Sequence, residues 1–314
     1  MIASPLNYTG GKYKLLPQIL PLFPEHIGTF VDLFCGGCNV GLNVAAERVM
    51  YNDIDRRLID LFGALRGEKK ETTLARIDEL ITRYGLSRVS QNGYEFYRCN
   101  GADGLSEYNR GPFLRLRRDF NQRTKTGQMD ETYFAMFYVL IVYAFNNQIR
   151  FNGRGEYNLP VGKRDFNLSM RQKLSAFIDR IQEQDCRFTA LDFRSFDVAG
   201  LGPEDFLYAD PPYLITCATY NEKGGWSERD ERDLLAFLDT LHARHVRFAL
   251  SNVLRSKGKE NRILLDWLEA HPGQYHAIPL RASYSNSNYH TKDRTSGSEE
   301  VLVVNYERGV GRAE

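Results

Sequence analysis

Apolar residues near the start of the chain follow an alternation of strands and helices. The segments TFVDLF (29–34) and RVMYND (48–53) are short apolar runs bounded by turn residues, which is the pattern of buried strands. The spacing of apolar positions also predicts helices, at 41–47, 56–66 and 72–84. This beginning is typical of a parallel sheet with helices on its faces.

The same alternation returns near residue 167 and continues to the last apolar strand. It predicts helices at 167–182, 227–244 and 261–271. It predicts strands at 187–191, 205–210, 246–252 and 299–306. Together the two parts predict an α/β fold with a doubly wound, mostly parallel sheet.

The segment between these parts has a different pattern. Residues 86–126 contain few apolar periodicities and many Gly, Asn and Arg residues. The apolar run 133–147 is shorter than the ~20 residues of a membrane helix, so we predict a buried core helix there. In NNQIRFNGRGEYNLPVGKR (146–164), Asn152-Gly153 lies between two extended runs and predicts a β-hairpin.

These patterns predict two domains. One α/β domain is formed by residues 1–67 and 167–314, and a basic, mainly helical insertion with a β-hairpin occupies residues 68–166. We see no internal repeat that would suggest another organisation.

Charge is informative only locally. The net charge is +1, so a nucleic-acid surface must come from clustering of basic residues. Such a cluster lies in GPFLRLRRDFNQRTK (111–125), where Asp119 is the single acid. A solvated surface is the alternative, but phosphate contacts are the simpler use of Arg115, Arg117 and Arg118.

The five cysteines are odd in number, and the start MIASPLNYTGGK lacks the apolar region of a signal peptide. Both features are typical of a reducing cytoplasm, which is the compartment we predict. Cys35 and Cys38 form a Cys-x-x-Cys pair, but no second pair of cysteines or histidines completes a zinc site. We therefore predict no metal.

Glycines after the first strand indicate a ligand site. In FVDLFCGGCNVGL (30–42), Gly36 and Gly37 let a ligand approach the backbone. Asp53, at the end of the next strand, can accept hydrogen bonds from ribose hydroxyls. The turn is not G-x-G-x-x-G, so a nucleoside without a pyrophosphate, such as S-adenosylmethionine (SAM), fits better than a dinucleotide. A glycine turn beside a surface aspartate is the alternative.

The segment NYTGGKYKLL (7–16) places a lysine before a helical pattern. It is not a Walker A loop, because Leu6 and Tyr13 stand where glycine and Ser or Thr are required. ATP is therefore not predicted. Lys12 is available to a carboxylate, or it is an ordinary lysine at a helix start.

The segment LYADPPYL (207–214) ends a predicted strand with two prolines, which cannot continue the strand. The carboxylate of Asp210 and the carbonyl of Pro211 are two acceptors suited to an exocyclic amino group. Pro212 stiffens the turn, and the ring of Tyr213 offers a stacking face. Two acceptors on the amine protons would direct its lone pair at an electrophile. A tight turn without chemistry is the alternative.

The order NYTGGK, DLFCGG, YNDID, basic insertion and YADPPY resembles the Dam-type DNA adenine-N6 methyltransferases, the α group of amino-methyltransferases. The resemblance covers nearly the whole chain, including the closing SNYHTKDR and EVLVVNY. It implies a fold like that of class I SAM-dependent methyltransferases and a SAM site at Tyr8, Lys12, Phe34, Gly36, Asp53 and Asp210. It implies catalysis by Asp210, Pro211, Pro212 and Tyr213.

The resemblance also implies double-stranded DNA as the substrate. The hairpin 146–160 is expected to read DNA, with Arg150 on a guanine and Asn152 beside it, and the insertion is expected to be the target-recognition domain. A cognate restriction endonuclease is the functional partner implied if the chain belongs to a restriction-modification system. One departure is Cys38, which stands where the family usually has a second glycine.

Three other functions share part of this pattern. Cytosine-C5 methyltransferases need a Pro-Cys pair, which the chain lacks. Cytosine-N4 methyltransferases use the same amine chemistry, usually with Ser before Pro-Pro-Tyr. A non-catalytic DNA-binding module would show damage in residues 210–213, which are intact. We therefore predict a site-specific, SAM-dependent DNA methyltransferase that acts on N6 of a flipped-out adenine in a GATC-like or CATG-like site.

Overall fold

The protein is described here from a computed structural model, which covers residues 1–8, 10–99, 103–216, 225–281 and 298–307. The chain forms two compact units. The first comprises residues 1–11 and 57–184, and the second comprises residues 12–56 and 185–314. These are units of packing. The assignment of a catalytic domain and a target-recognition domain at the predicted boundaries stays a prediction.

The second unit contains an eight-stranded sheet with the order β3-β2-β1-β4-β5-β8-β7 and a short β6 paired with β5. The strands are β1 (Thr29–Asp32), β2 (Arg48–Asn52), β3 (Cys186–Thr189), β4 (Phe206–Ala209), β5 (Arg247–Ser256), β6 (Lys259–Glu260), β7 (His276–Leu280) and β8 (Glu299–Val304). Strands β1 to β5 pair in parallel, whereas β8 is antiparallel to both β5 and β7. The predicted mixed α/β fold with a mostly parallel sheet is confirmed.

Apolar helix faces cover this sheet. The helices of the second unit are α1 (Leu16–Ile19), α8 (Glu228–Ala243) and α9 (Arg262–Ala270), with 3₁₀ turns at Lys12–Leu15, Leu20–Leu22 and Phe193–Ser195. Leu234 and Leu238 of α8 and Leu264 of α9 belong to a buried cluster with residues of β1, β4, β5 and β8. Ser227 and Asp230 form a reciprocal capping box that begins α8. The buried cluster therefore holds α8 and α9 on the sheet, and the capping box fixes where α8 begins.

The predicted helix at 41–47 is wrong. Residues after the glycine turn form hydrogen-bonded turns, with the N–H of Leu42 bonded to the carbonyl of Cys38 at 3.0 Å. Gly41 lies against the ring of Tyr51, where an added Cβ would stand 2.3 Å from the Tyr51 Cε1 atom. Its N–H donates to Asp32 Oδ2 at 3.1 Å. The segment is pinned to β1 and β2 within a few residues of the next strand, which leaves no length for a helix.

The first unit is mainly helical. Its helices are α2 (Arg56–Gly67), α3 (Lys70–Tyr84), α4 (Val89–Phe96), α5 (Ser106–Thr126), α6 (Glu131–Tyr143) and α7 (Leu168–Glu183), with a 3₁₀ turn at Phe145–Asn147. The apolar α6 is buried along its length and contacts α3 and α5, as predicted for a core helix. No helix in the described part of the chain is long and apolar enough to cross a membrane.

Helix α5 was not expected from periodicity. Its buried face is a narrow stripe of Asn109, Phe113, Leu116 and Phe120, interrupted in sequence by Gly111 and Pro112. The rest of the helix is mostly polar, with Tyr108 and Leu114 exposed off the stripe, so the apolar positions do not follow a clear helical period. Tertiary packing of the stripe against α6 therefore stabilises a helix that the composition of the segment does not predict.

The predicted hairpin exists as a short antiparallel pairing. Phe151 bridges Tyr157, and the N–H of Asn152 donates to the carbonyl of Glu156 at 2.9 Å. The chain reverses through Gly153 to Gly155, and Gly155 has a φ of 75°. A three-residue loop ending in a left-handed glycine is a common hairpin connection. The turn therefore extends beyond the Asn152-Gly153 pair that predicted it.

We expect Gly41→Ala to lower the free energy of unfolding by about 1–3 kcal/mol, because the new methyl group would overlap the buried ring of Tyr51. Thermal unfolding of wild type and variant measures this. Gly63→Ala in α2 is the control, since no atom lies within 4 Å of its added Cβ, and it should stabilise by about 0.5–1 kcal/mol. Equal unfolding temperatures for Gly41→Ala and wild type would contradict the close contact.

Candidate active site

Three aspartates stand at the carboxyl edge of the sheet. Asp32 is the last residue of β1, Asp53 follows β2, and Asp210 follows β4. These three strands are neighbours in the order β2-β1-β4 and run parallel. In open α/β sheets this edge is where ligands bind. The fold therefore brings together acids that are far apart in sequence.

Asp210 is held by two donors. The ammonium of Lys12 lies 2.8 Å from Asp210 Oδ1, and the hydroxyl of Tyr213 donates to the same oxygen at 2.9 Å. The Lys12 ammonium also lies 4.8 Å from the centre of the Tyr213 ring, a cation–π contact. Lys12 was predicted for the cofactor site, and the structure places it on the predicted catalytic carboxylate.

Burial dominates the electrostatics of Asp210. Removal from water raises the pKa of its carboxyl group, while the charge of Lys12 and the hydrogen bonds from Lys12 and Tyr213 oppose that rise. Burial and the adjacent carboxylates also raise the pKa of Tyr213 well above its usual value. Tyr213 is thus a neutral hydrogen-bond donor at physiological pH.

Glu300 completes this network and was missed in the sequence. It lies on β8, is 1% exposed, and its Oε1 lies 3.1 Å from the Tyr213 hydroxyl, whose single proton is shared between Asp210 and Glu300. Its Oε1 lies 3.7 Å from the Lys12 ammonium. An available signal was the second glutamate of EEVLVVNY, which directly precedes the apolar, buried run of residues 301–304. The closing segment SNYHTKDR (287–294), which supported the resemblance, lies outside the described residues.

Asp53 supports the glycine turn. Its Oδ2 accepts the N–H of Gly36 and its Oδ1 accepts the N–H of Asp55, both at 2.9 Å. Burial raises the pKa of Asp53 against these two hydrogen bonds. Cys38, the departure from the family pattern, has a φ of 62°, the left-handed conformation that favours glycine. The turn therefore keeps a glycine-like backbone with a buried thiol in place of a hydrogen.

Asp32 is an acid that sequence reasoning did not assign to the site. It is 2% exposed and accepts the N–H of Gly41. Burial raises the pKa of Asp32 to about 7, and the charges of Asp210 and Asp53 add to the rise. Its place before the Phe34 turn was visible in the sequence, but its burial depended on how the turn folds back.

The basic cluster of α5 in the first unit is divided by the structure. Arg115 is exposed and donates to the carbonyl of Tyr84 at 2.9 Å. Arg117 is half-buried and donates to the carbonyl of Leu159 at 2.8 Å. Arg118 has 74% of its side chain exposed and lies 3.2 Å from Asp119 Oδ1. The phosphate roles of all three stay predictions.

The predicted base-reading residues lie together on the hairpin. Arg150 is exposed, and its guanidinium donates to the side chain and the carbonyl of Asn158, at 2.9 Å and 3.2 Å. The carbonyl oxygen of the Asn152 side chain accepts the N–H groups of Arg154 and Glu156, and its amide donates to Glu156. Asn152 thus stabilises the turn. The hydrogen bonds of Arg150 to Asn158 lie at the surface, where bonds to a bound base could replace them.

The remaining cofactor residue, Tyr8, belongs to the first unit, where its carbonyl accepts the N–H of Gly11 at 3.2 Å. Its predicted role stays a prediction. Among the described residues, no group of His, Cys, Asp and Glu is arranged to hold a metal ion.

Comparison with known proteins decides the family. Residues 8–296 match the family model of D12 class N6 adenine-specific DNA methyltransferases. The chain belongs to this family. The resemblance inferred from NYTGGK, DLFCGG and YADPPY is thereby confirmed, and a family of methyltransferases implies a methyl donor.

Relatives differ in length. The modification methylase StsI of Streptococcus sanguinis is 40% identical over 312 residues, which cover 98% of this chain and 43% of that protein. The type II methyltransferase M.FokI of Planomicrobium okeanokoites is 39% identical over 312 residues, with 97% and 43% covered. The DNA adenine methylase of Escherichia coli (strain K12) is 24% identical over 311 residues, with 97% and 95% covered. The chain thus spans less than half the length of the first two relatives.

We expect Asp32→Asn to change how stability depends on pH. The folded carboxyl group has a pKa of about 7 against 3.8 in an ordinary aspartate. The native state therefore binds the proton more tightly, and the wild type should lose stability relative to the variant as pH rises from about 4 to about 7. The total change is roughly 4 kcal/mol at most. Denaturant unfolding of both proteins across this pH range measures it, and parallel curves would contradict it.

Proposed function

We propose that this chain transfers the methyl group of SAM to N6 of adenine in a short site of duplex DNA. The observation that carries the proposal is the Asp210 network. A half-buried carboxylate at the end of β4 is held through Oδ1 by Lys12 and Tyr213. Membership of the D12 family supports adenine over cytosine as the base.

The residues around the glycine turn fit SAM by their chemistry. Each oxygen of the Asp53 carboxylate accepts one backbone N–H and keeps a second lone pair, which suits the two hydroxyl donors of a ribose. Phe34 is half-buried and offers part of its ring to a planar base. Gly36 has a φ of 46° and no side chain to obstruct a ligand. When bound there, SAM supplies a methyl group on a positively charged sulfur.

Asp210 and Pro211 are proposed to orient the adenine amine. The N6 lone pair is conjugated with the ring, so it is a weak nucleophile. Acceptors on both of its protons, the Asp210 carboxylate and the Pro211 carbonyl, would turn the lone pair toward the methyl group. N6 would gain the methyl group, the donor sulfur would keep the electron pair of its methyl bond, and the Asp210 carboxylate would accept the proton that N6 loses. Positioning two bound reactants is worth roughly 7–11 kcal/mol.

Tyr213 and Lys12 are proposed to preorganise this site. Adenine must leave the duplex to be reached, which costs a few kcal/mol, and stacking on the Tyr213 ring would offset part of it. The hydroxyl of Tyr213 is already held by Asp210 and Glu300, so the ring is fixed before the base arrives. Pro212 limits the backbone at the same turn.

The hairpin is proposed to recognise the DNA sequence. Arginine is the side chain that pairs with the two acceptors of guanine in the major groove. Arg150 is exposed on the hairpin. Arg115, Arg117 and Arg118 are proposed to contact phosphates. The site would be of the GATC or CATG type, and a cognate restriction endonuclease would be the functional partner. Sequencing DNA from a methylation-free host that expresses the chain, with detection of modified bases, identifies the site.

We expect Asp210→Ala to abolish methyl transfer to duplex DNA, because the acceptor that orients N6 is removed. Binding of SAM and DNA should survive, since Glu300 remains near Lys12 as a counter-charge. Transfer from labelled SAM, calorimetry with SAM and gel-shift titration with DNA measure the three quantities. Turnover close to that of wild type would remove Asp210 from the mechanism.

We expect Arg150→Ala to lose about 1–3 kcal/mol of discrimination at one guanine and to methylate sites altered there. Arg118→Ala should weaken all duplexes alike and flatten the slope of log K against log salt by roughly one. Both variants are compared on the cognate duplex and its single-base variants at several salt concentrations. If Arg150→Ala weakens every duplex equally, Arg150 is a phosphate contact and the hairpin does not read the base through it.

A further inference from the structure

Three aromatic rings form a closed cluster beside the glycine turn. The ring centre of Phe34 lies 5.6 Å from that of Phe193 and 5.7 Å from that of Trp226, and Phe193 and Trp226 are 5.8 Å apart. Trp226 meets Phe34 edge-on, at 80°. Each ring thus limits the tilt of the other two, and Phe34 is the member that the proposed function places against the methyl donor.

The indole of Trp226 is fixed by a buried carboxylate. Glu231, which is fully buried in α8, accepts the Trp226 Nε1–H on Oε2 at 2.5 Å. Its Oε1 accepts the side-chain amides of Asn252 in β5 and Asn261 at the start of α9, at 2.9 Å and 2.7 Å. Three N–H donors from three parts of the sheet unit therefore converge on one acid.

Only a carboxylate satisfies this arrangement. Every neighbour is a donor, and glutamate in its ionised form offers acceptors on both oxygens. The uncharged isostere glutamine would turn an NH₂ group either toward the indole N–H or toward the two asparagine amides. Glu231 also lies in the first turn of α8, where the helix dipole favours negative charge. The site therefore accommodates a buried charge through amides and an indole.

We propose that Glu231 is a positioning residue for the methyl donor: it fixes the Trp226 indole, which in turn fixes the ring of Phe34. The inference rests on the proposed function, in which SAM contacts Phe34. Neither Glu231 nor Trp226 belongs to the motifs that marked the site in the sequence. Their effect should appear in the affinity for SAM, not in the affinity for DNA or in the rate at saturating SAM.

The chain contains two tryptophans, which makes the test specific. Trp267 also donates its indole N–H to a carboxylate, Asp239 Oδ1 at 2.9 Å, and stacks on Tyr275. Trp267→Phe is therefore a matched control that removes the same kind of bond away from Phe34. It also leaves Trp226 as the single tryptophan, whose fluorescence then reports on its own surroundings.

SAM is titrated into wild type, Trp226→Phe, Glu231→Gln and Trp267→Phe, with affinity measured by calorimetry. We expect Trp226→Phe and Glu231→Gln to bind SAM about tenfold more weakly, the effect of losing one buried hydrogen bond to a charged group. Their KM for SAM should rise while kcat and the affinity for DNA stay near wild type. Trp267→Phe should bind SAM as wild type does, and its fluorescence should change on adding SAM. Trp226→Phe should show no such fluorescence change.

The outcomes distinguish failure of the positioning role from failure of the proposed function. If wild type binds no SAM, the proposed donor site is wrong and the positioning role falls with it. If wild type binds SAM and both variants bind it equally well, the positioning role alone is wrong. If Glu231→Gln does not fold, Trp226→Phe and the fluorescence titration of Trp267→Phe still test the proposal. If the fluorescence of Trp226 in Trp267→Phe does not change when SAM is added, the proposal is wrong.

Discussion

Carboxylates converge at the carboxyl edge of the sheet, and the cost of removing them from water is the constraint on which the site depends. Asp32, Asp53 and Asp210 end three neighbouring strands, and Glu300 joins them from β8. Desolvation raises the pKa values of Asp32 and Asp210, and the neighbouring carboxylates add to the rise. The ammonium of Lys12, 2.8 Å from Asp210, opposes this for the one carboxylate proposed to act. Backbone N–H groups oppose it for Asp53 and Asp32.

This arrangement explains why the glycine turn is built as it is. Two of the acids are satisfied by N–H groups of the turn itself, from Gly36 to Asp53 and from Gly41 to Asp32. The turn must therefore stay close to both strands. Gly41 permits the contact with Tyr51, and Cys38 adopts a left-handed backbone to follow the same path. The backbone hydrogen bonds that satisfy Asp32 and Asp53 therefore also fix the path of the turn that forms the proposed donor site.

Tyr213 shows how the same residues serve rigidity and proposed chemistry. Its hydroxyl joins Asp210 to Glu300, and its ring lies by the Lys12 ammonium. Because the hydroxyl end of Tyr213 is already fixed, its ring loses little conformational entropy when a base stacks on it. Less of the favourable stacking energy is therefore offset by ordering the ring. The Glu231–Trp226 pair has the same logic for Phe34. In both cases a buried carboxylate fixes an aromatic ring through its polar end.

The sequence by itself determined the family, the alternation of strands and helices, and the residues Asp53, Asp210 and Tyr213 as candidates. Those features are local: a short apolar run, a turn residue or a proline is visible without knowing what it packs against. The sequence did not reveal the helix α5 or exclude one at 41–47, because in each case packing against neighbouring elements, α6 for α5 and β1 and β2 for Gly41, outweighed local propensity. It did not reveal Glu300, Glu231 or the pairing of Lys12 with Asp210. Those contacts depend on tertiary packing, which alone places Lys12 and Glu300 beside Asp210 and Tyr213. The same packing brings Asn252 and Asn261 to Glu231 from 21 and 30 positions away in sequence.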